Sequence, residues 1–269
     1  ETQICVSLDG TTLQSITDEA VRANLAGADF IEVRFDKMYL VQPDLSNFDE
    51  EEGEAPSLPP IEEWERKMVD DIEPKELIDS ILIGMPLPVI FTVRSQNEQG
   101  FFPGSEEERI EILSMAIDAK VAWVDLELNI PEKQRKELVD KANKNGVKII
   151  ASEHNHDGMP SDQDIIQLVE ENQSKGDIVK FCGQCTNHHD ALQVDVAAAG
   201  LVVVKDLQRQ SRHVHARVAL AGDEEPVLGE LRVRGVERAQ EGRVVRHRDR
   251  VVVRPARRAA VAVAEADAG

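Results

Sequence analysis

Lys180 stands in the apolar run Asp177-Ile178-Val179-Lys180-Phe181-Cys182. A strand of that composition is expected inside the fold, where an ammonium loses hydration, its pKa falls and the neutral amine becomes a nucleophile. Such an amine attacks a ketone and forms an imine. A lysine that reaches water from a strand end, or pairs with an acid, fits the same spacing equally well. A second run, Ile150-Ala151-Ser152-Glu153-His154-Asn155-His156, ends in two histidines. An imidazole beside an imine can take a proton from the neighbouring carbon, because it titrates near neutral pH. Spacing alone chooses neither between His154 and His156 nor between a catalytic histidine and one on a surface loop.

Glu32 and Arg34 alternate with Ile31 and Val33, so both point to one side of their strand. Arg94 ends Phe91-Thr92-Val93-Arg94. Two arginines at one rim suit a carboxylate-bearing substrate through forked hydrogen bonds. Glu98, four residues beyond Arg94, is placed to orient a histidine.

Alternating strands and helices are needed to carry these groups. The apolar runs predict strands over 4–8, 30–35, 89–94, 121–128, 147–152 and 178–181. Helices are predicted over 16–26, 74–83, 106–119, from Pro131 to Gly146, from Ser161 to about Gln173, and over 187–199. Ser105 with Glu108 forms a capping box, and Pro131 suits a first turn. A seventh strand starts at 201–205. Residues 42–73 read as an acidic, proline-bearing loop, expected to be mobile. Six strand–helix units in strict alternation predict an α/β fold with a parallel sheet, and near-continuous apolar strands suit a sheet covered on both faces. No glycine-rich phosphate loop follows the first strand. Polar residues gather instead at strand C-terminal ends: Ser7, Glu32 and Arg34, Arg94, Asp125 and Glu127, Ser152 and His154, and Lys180. In a barrel all those ends share one rim, which favours a (β/α) barrel over an open sheet.

In this order Ile4-Cys5-Val6-Ser7, Asp29-Phe30-Ile31-Glu32-Val33-Arg34-Phe35-Asp36, Phe91-Thr92-Val93-Arg94-Ser95, Val124-Asp125-Leu126-Glu127-Leu128, Ser152-Glu153-His154 and Asp177-Ile178-Val179-Lys180 resemble the motifs of type I 3-dehydroquinate dehydratases of archaeal style, over residues 3–205. The resemblance implies a (β/α)8 barrel of the TIM type. It implies a lyase of the shikimate pathway, leading to chorismate and the aromatic amino acids, that dehydrates 3-dehydroquinate in cis fashion to 3-dehydroshikimate without a cofactor or metal. By the same resemblance Lys180 is the imine-forming lysine and His154 the general acid/base, with Pro160 in the place of the family's following proline, against His156. Glu98 is then the histidine's carboxylate partner, and Ser7, Glu32, Val33, Arg34 and Arg94 are substrate-binding positions. A small-molecule substrate, a cytoplasmic setting and a homodimer accompany that reading.

The chain departs from the family after Lys205. Residues 1–205 hold 12 Lys and 6 Arg against 41 acids, whereas residues 206–269 hold no Lys and 13 Arg against 10 acids. The tail also lacks Phe, Tyr, Met, Ile, Asn, Trp, Thr and Cys. Such a bias is what a GC-rich gene yields when read out of frame; a basic, weakly structured arm gives the same composition. The chain therefore divides into a barrel region, 1–205, and an atypical tail, 206–269, in which little strand or helix periodicity is visible. The family's late arginine and Ser/Ala-Pro-Gly-Gln stretch are missing, so the last two βα units are expected to be absent or disrupted. Two open sheet edges and a catalytically impaired barrel fragment would follow.

Other classes are disfavoured. A net charge of −20 repels nucleic acid and anionic membranes. No basic-then-apolar leader opens the chain, and its longest apolar run, 196–204, is too short for a membrane helix. Three cysteines are too few for a disulfide framework and fit a reducing compartment. Cys182 and Cys185, followed by His188 and His189, admit zinc or redox readings, though the spacing is too short for familiar zinc patterns. A class I aldolase-like imine lyase is the neighbouring chemistry, disfavoured by His154 and the paired arginines.

Overall fold

The structure, a computed structural model, describes residues 3–43 and 58–185, and the backbone of four short strands at 214–220, 251–254, 260–262 and 264–266. Six strands and five helices alternate through the main part. They are β1 (Gln3–Leu8), α1 (Leu13–Leu25), β2 (Phe30–Arg34), α2 (Pro74–Gly84), β3 (Val89–Thr92), α3 (Glu106–Asp118), β4 (Trp123–Glu127), α4 (Glu132–Asn145), β5 (Lys148–Asn155), α5 (Asp162–Asn172) and β6 (Ile178–Cys185). Neighbours β1 to β6 pair in parallel in chain order. The predicted α3 start is confirmed: the Ser105 hydroxyl accepts from the Glu108 backbone, and the Glu108 carboxylate accepts in return. The start of α1 lies earlier than predicted, because Thr12 and Ser15 form a capping box of their own.

Strand alternation sorts the side chains into two layers. Leu8, Ile31, Val33, Phe91, Val124, Leu126 and Ile149 face outward and pack against Ile16, Ala20, Ile78, Ile81, Ile112, Leu113, Ala116, Leu138 and Ala142 of the helices. Residues of the opposite parity face inward. At the foot of that inner face Cys5, Ile90, Ile150 and Ile178 form a small apolar floor with Phe30 and Trp123. Above it the inner positions are polar: Glu32, Thr92, Asp125, Ser152 and Lys180, then Arg34, Arg94 and Glu127, all buried. The strands are thus alternating rather than near-continuously apolar, since their inner face encloses a polar interior.

The sheet is curled. Lys180 on β6 reaches within 3.5 Å of Glu32 on β2, four strands away. In a flat sheet those strands would stand about 19 Å apart, at roughly 4.8 Å per strand, beyond the reach of the two side chains. The fold is therefore an α/β fold whose parallel sheet closes part of a barrel around its inner face.

The tail takes part in the sheet, contrary to its weak periodicity. Strand β7 (Val214–Leu220) runs antiparallel beside β6, and β8 (Val251–Arg254) antiparallel beside β1. Short strands β9 (Ala260–Ala262) and β10 (Ala264–Ala266) pair with β8 and β7. Both edges of the parallel block are therefore hydrogen-bonded rather than open. The β-branched run Val251-Val252-Val253 supplies the strand propensity. The predicted helix over 187–199 and strand at 201–205 lie outside the described residues.

The described part of 42–73 is not a plain loop. Leu40–Val41 pairs with Glu65–Arg66 in a two-stranded ribbon, tied by Lys67 donating to the Met38 carbonyl at 2.8 Å. Among the described residues no helix is long and apolar enough to cross a membrane.

Candidate active site

The curled inner face brings together ionisable groups from five strands. Lys180 is 2% exposed, and its Nζ lies 3.2 Å from Asp125 Oδ2 and 3.5 Å from Glu32 Oε1. The expectation of a dry lysine holds, but its surroundings are ionic rather than apolar. Glu32 also accepts from Thr92 Oγ1 at 2.9 Å, and Ser152 Oγ donates to Asp125 Oδ1. Burial alone would raise the Asp125 pKa. The cations of Arg94 and Lys180 outweigh it and hold the carboxyl below its usual range. Below this layer, burial and the nearby Glu32 push the Cys5 thiol well up, so it stays protonated.

Arg94 is the hub. Its Nη1 lies 2.9 Å from Glu127 Oε1, 3.1 Å from Ser152 Oγ, 3.3 Å from Glu98 Oε2 and 3.4 Å from Asp125 Oδ1, and its Nη2 lies 3.0 Å from Asp125 Oδ2. Arg34 makes a forked pair with Asp36, Nε and Nη2 each at 2.8 Å. Asp36 in turn accepts from the backbone of Arg94 and Phe101 and joins the end of β2 to the segment after β3. The expected pair of arginines is present at one mouth, but both guanidiniums are engaged by the protein's own acids.

Glu98 meets His154: Oε2 and Nδ1 are 2.6 Å apart, with both side chains about 95% buried. His156 stacks beside His154 with ring centroids 6.3 Å apart. Glu98 is carried on a short turn after β3. That turn closes through Gly100, whose amide donates to the Ser95 carbonyl at 2.7 Å. A Cβ on Gly100 would fall 2.0 Å from the Arg94 carbonyl oxygen, so only glycine fits there. Asn129, in the turn after β4, donates to the other Glu98 oxygen at 2.9 Å. His154 and Lys180 are diagonal neighbours on paired strands, Ser152 standing opposite Lys180 and Cys182 opposite His154. Ser7 lies half-buried on the same inner face, opposite Glu32. Val33 points the other way, into the outer core, so its side chain is not part of the cluster.

The cluster members assigned no role from sequence are Asp125, Glu127, Ser152, Thr92, Asp36, Asn129 and Arg109. Asp125-Leu126-Glu127 carries the same alternation as Glu32-Val33-Arg34, and that is the signal that could have found the first two. Among the described residues no metal-binding group of His, Cys, Asp or Glu side chains is present. Of the cysteine–histidine group, the Cys185 side chain, His188 and His189 lie outside the described residues.

A family model described as type I 3-dehydroquinase matches residues 4–201. The chain belongs to the type I 3-dehydroquinase family. The match stops close to Lys205, where the composition changes. The 3-dehydroquinate dehydratase of Methanothermobacter thermautotrophicus is 32% identical over 194 residues, covering 72% of this chain and 71% of that protein. That of Methanocaldococcus jannaschii is 37% identical over 109 residues, covering 40% of this chain and 49% of that protein, so the matched part spans about half of that relative. Among solved structures, the 3-dehydroquinate dehydratase of Geobacillus kaustophilus superposes with a TM-score of 0.57 at 20% identity, covering 74% of this chain and 68% of that one. The type I enzyme of Clostridium difficile gives 0.56 at 23%, covering 72% and 67%. These two likenesses show a shared dehydroquinase fold.

Burial, followed by the nearby Glu127, pushes the Glu98 carboxyl up to about 8, against the pull of Arg94. An acid raised from 4.5 in this way holds its proton more tightly folded than unfolded, so it costs stability as pH climbs above 4.5, fully so above 8. Glu98→Gln is therefore expected to stabilise the chain at pH 9 by on the order of a few kcal/mol and to change little at pH 4.5. Urea midpoints at the two pH values check this; an equal change at both would count against it.

Proposed function

We propose that this chain binds 3-dehydroquinate and dehydrates it to 3-dehydroshikimate through an imine on Lys180, without a cofactor. The observation that carries the reading is the buried Lys180 amine on the same inner face, and in the same ionic cluster, as the Glu98–His154 pair. Lys180 releases one ammonium proton and adds to the substrate ketone; that proton and a second from the nitrogen leave with the carbonyl oxygen as water, and the nitrogen keeps its third proton as a protonated imine. The protonated imine is an electron sink for the carbon beside it. His154, oriented by Glu98, takes the proton from that carbon. The electron pair closes a C=C bond as the hydroxyl on the next carbon departs, taking a proton from His154 to leave as water. Water then hydrolyses the imine, releasing product and the free amine. Ser7, Glu32, Arg34 and Arg94 ring the inner face around Lys180 and supply polar contacts for a hydroxylated carboxylic acid.

The finer architecture belongs to the same proposal: residues 1–205 are six units of an eight-unit barrel, and 206–269 replace the last two. A second reading rests on the antiparallel strands β7 and β8, which flank β6 and β1 where an eight-unit barrel would place parallel ones. On that reading the chain folds as an impaired barrel that forms no productive complex. Borohydride reduction in the presence of 3-dehydroquinate separates the two. A stoichiometric adduct mapped to Lys180 by mass spectrometry is the expected result. A folded preparation with no adduct supports the impaired barrel, and an adduct without the ultraviolet absorbance of a conjugated enone product points to aldolase-like chemistry.

A further inference from the structure

We infer that Glu127 is a positioning residue for this site: it locks the Arg94 guanidinium and, with Asp125, competes with Glu98 for that cation, which favours a proton on the Glu98–His154 pair. The inference rests on the proposed dehydration only for its catalytic meaning. Glu127 is 1% exposed and ends β4 on the inner face. Its Oε1 accepts from Arg94 Nη1 at 2.9 Å and from the Ser95 amide at 3.0 Å, and its Oε2 faces Arg109 Nη2 at 3.5 Å. Nothing in the proposed reaction needs it to touch substrate.

Its effect comes through charge. Among the described residues, the connected buried cluster contains the acids Glu32, Glu98, Asp125 and Glu127 and the cations Lys180, Arg94 and Arg109. Arg109 is shared outward, donating from Nε and Nη2 to the half-exposed Glu106. Arg94 is shared among three carboxylates, with Glu127 at 2.9 Å, Asp125 at 3.0 Å and Glu98 at only 3.3 Å, so where water is excluded a proton on Glu98 relieves the repulsion among them. The site that can take it is the 2.6 Å contact between Glu98 and His154. Among the described residues, the charged groups acting on Glu98 are Arg94 just beyond β3, Glu127 and Asp125 from β4 and Arg109 from α3; Lys180 from β6 and Glu32 from β2 join them through Asp125, and His156 stacks on His154 just beyond β5. The upward displacement of Glu98, with Glu127 its largest cause after burial, has the sign this requires. A carboxyl held up to about 8 keeps a proton at neutral pH to share with the imidazole 2.6 Å away, and the dehydration needs a group there that both takes and returns a proton.

The test reads the imidazole without substrate. His154 ring signals in the apo protein, assigned by their loss in His154→Gln, are followed by NMR across pH. Glu127→Gln keeps an acceptor for Arg94 and Ser95 but removes the charge, so the midpoint is expected to fall by about one pH unit. Asn129→Asp, at an exposed position beside Glu98, adds a negative charge and is expected to move the midpoint up. The pH profile of turnover should shift in the same directions. An unchanged midpoint in folded Glu127→Gln, or in Asn129→Asp where the first variant fails to fold, overturns the inference. Because the titration needs no turnover, its failure is distinct from a failure to trap Lys180.

Discussion

Lys180→Arg is expected to lower turnover of 3-dehydroquinate by on the order of 10^4-fold or more, and to abolish borohydride trapping, while the chain remains folded. Arginine keeps the positive charge that Asp125 and Glu32 hold at 3.2 and 3.5 Å but offers no amine able to form an imine. Lys180→Ala removes both, so it confounds chemistry with stability: two carboxylates buried to 97% or more would lose their cation. Breaking such a pair costs about 3–5 kcal/mol. The comparison therefore has a defined pattern. Both variants lose turnover, and only the alanine loses several kcal/mol in a urea titration. Turnover within tenfold of the parent in a folded Lys180→Arg preparation would remove Lys180 from the mechanism.

The order of strands and helices could be read from the sequence because each element carries its own local signal. The Ser105–Glu108 capping box starts α3, and Gly146, in the left-handed conformation, closes α4. Ionisable residues at strand ends pointed to one rim, and Lys180, His154, Glu98, Glu32 and Arg94 do meet there. What escaped was pairing. Which acid an arginine meets depends on the curl of the sheet, and curl is set by strands distant in sequence. Glu98, four residues beyond Arg94, was read only as the histidine's partner, yet it also meets Arg94, and four other partner atoms come from β4 and β5, 31 to 58 residues away. Val33 shows the opposite error. A motif carries every residue within it toward the site, but a two-residue period turns each second side chain outward. The tail's edge strands escaped for a third reason: composition reports what can pack a core, whereas a sheet edge needs only backbone groups and a few β-branched residues.

Arg94→Met is expected to destabilise the chain by about 3–5 kcal/mol at pH 8. Burial by itself would favour a neutral Arg94, but Asp125, Glu127, Glu98 and Glu32 more than reverse this, so the side chain is firmly charged. Its guanidinium touches Glu98, Asp125 and Glu127, and methionine would fill a similar volume while leaving all three without that cation. The loss has a definite pH dependence. Asp125 owes its lowered pKa chiefly to Arg94, against burial. Without the guanidinium its pKa rises, and the folded state binds protons that the unfolded state does not. The deficit is then largest where the unfolded acids are all ionised and shrinks as pH falls toward the usual carboxylate range. Urea midpoints from pH 4.5 to 8 measure it. A deficit that does not vary with pH would mean that Arg94 acts through packing alone and that the buried acids are balanced by other groups. The pH-dependent outcome would show the site to be a preassembled charge cluster, in which a substrate hydroxyl or carboxylate must exchange with a protein carboxylate for the attention of Arg94.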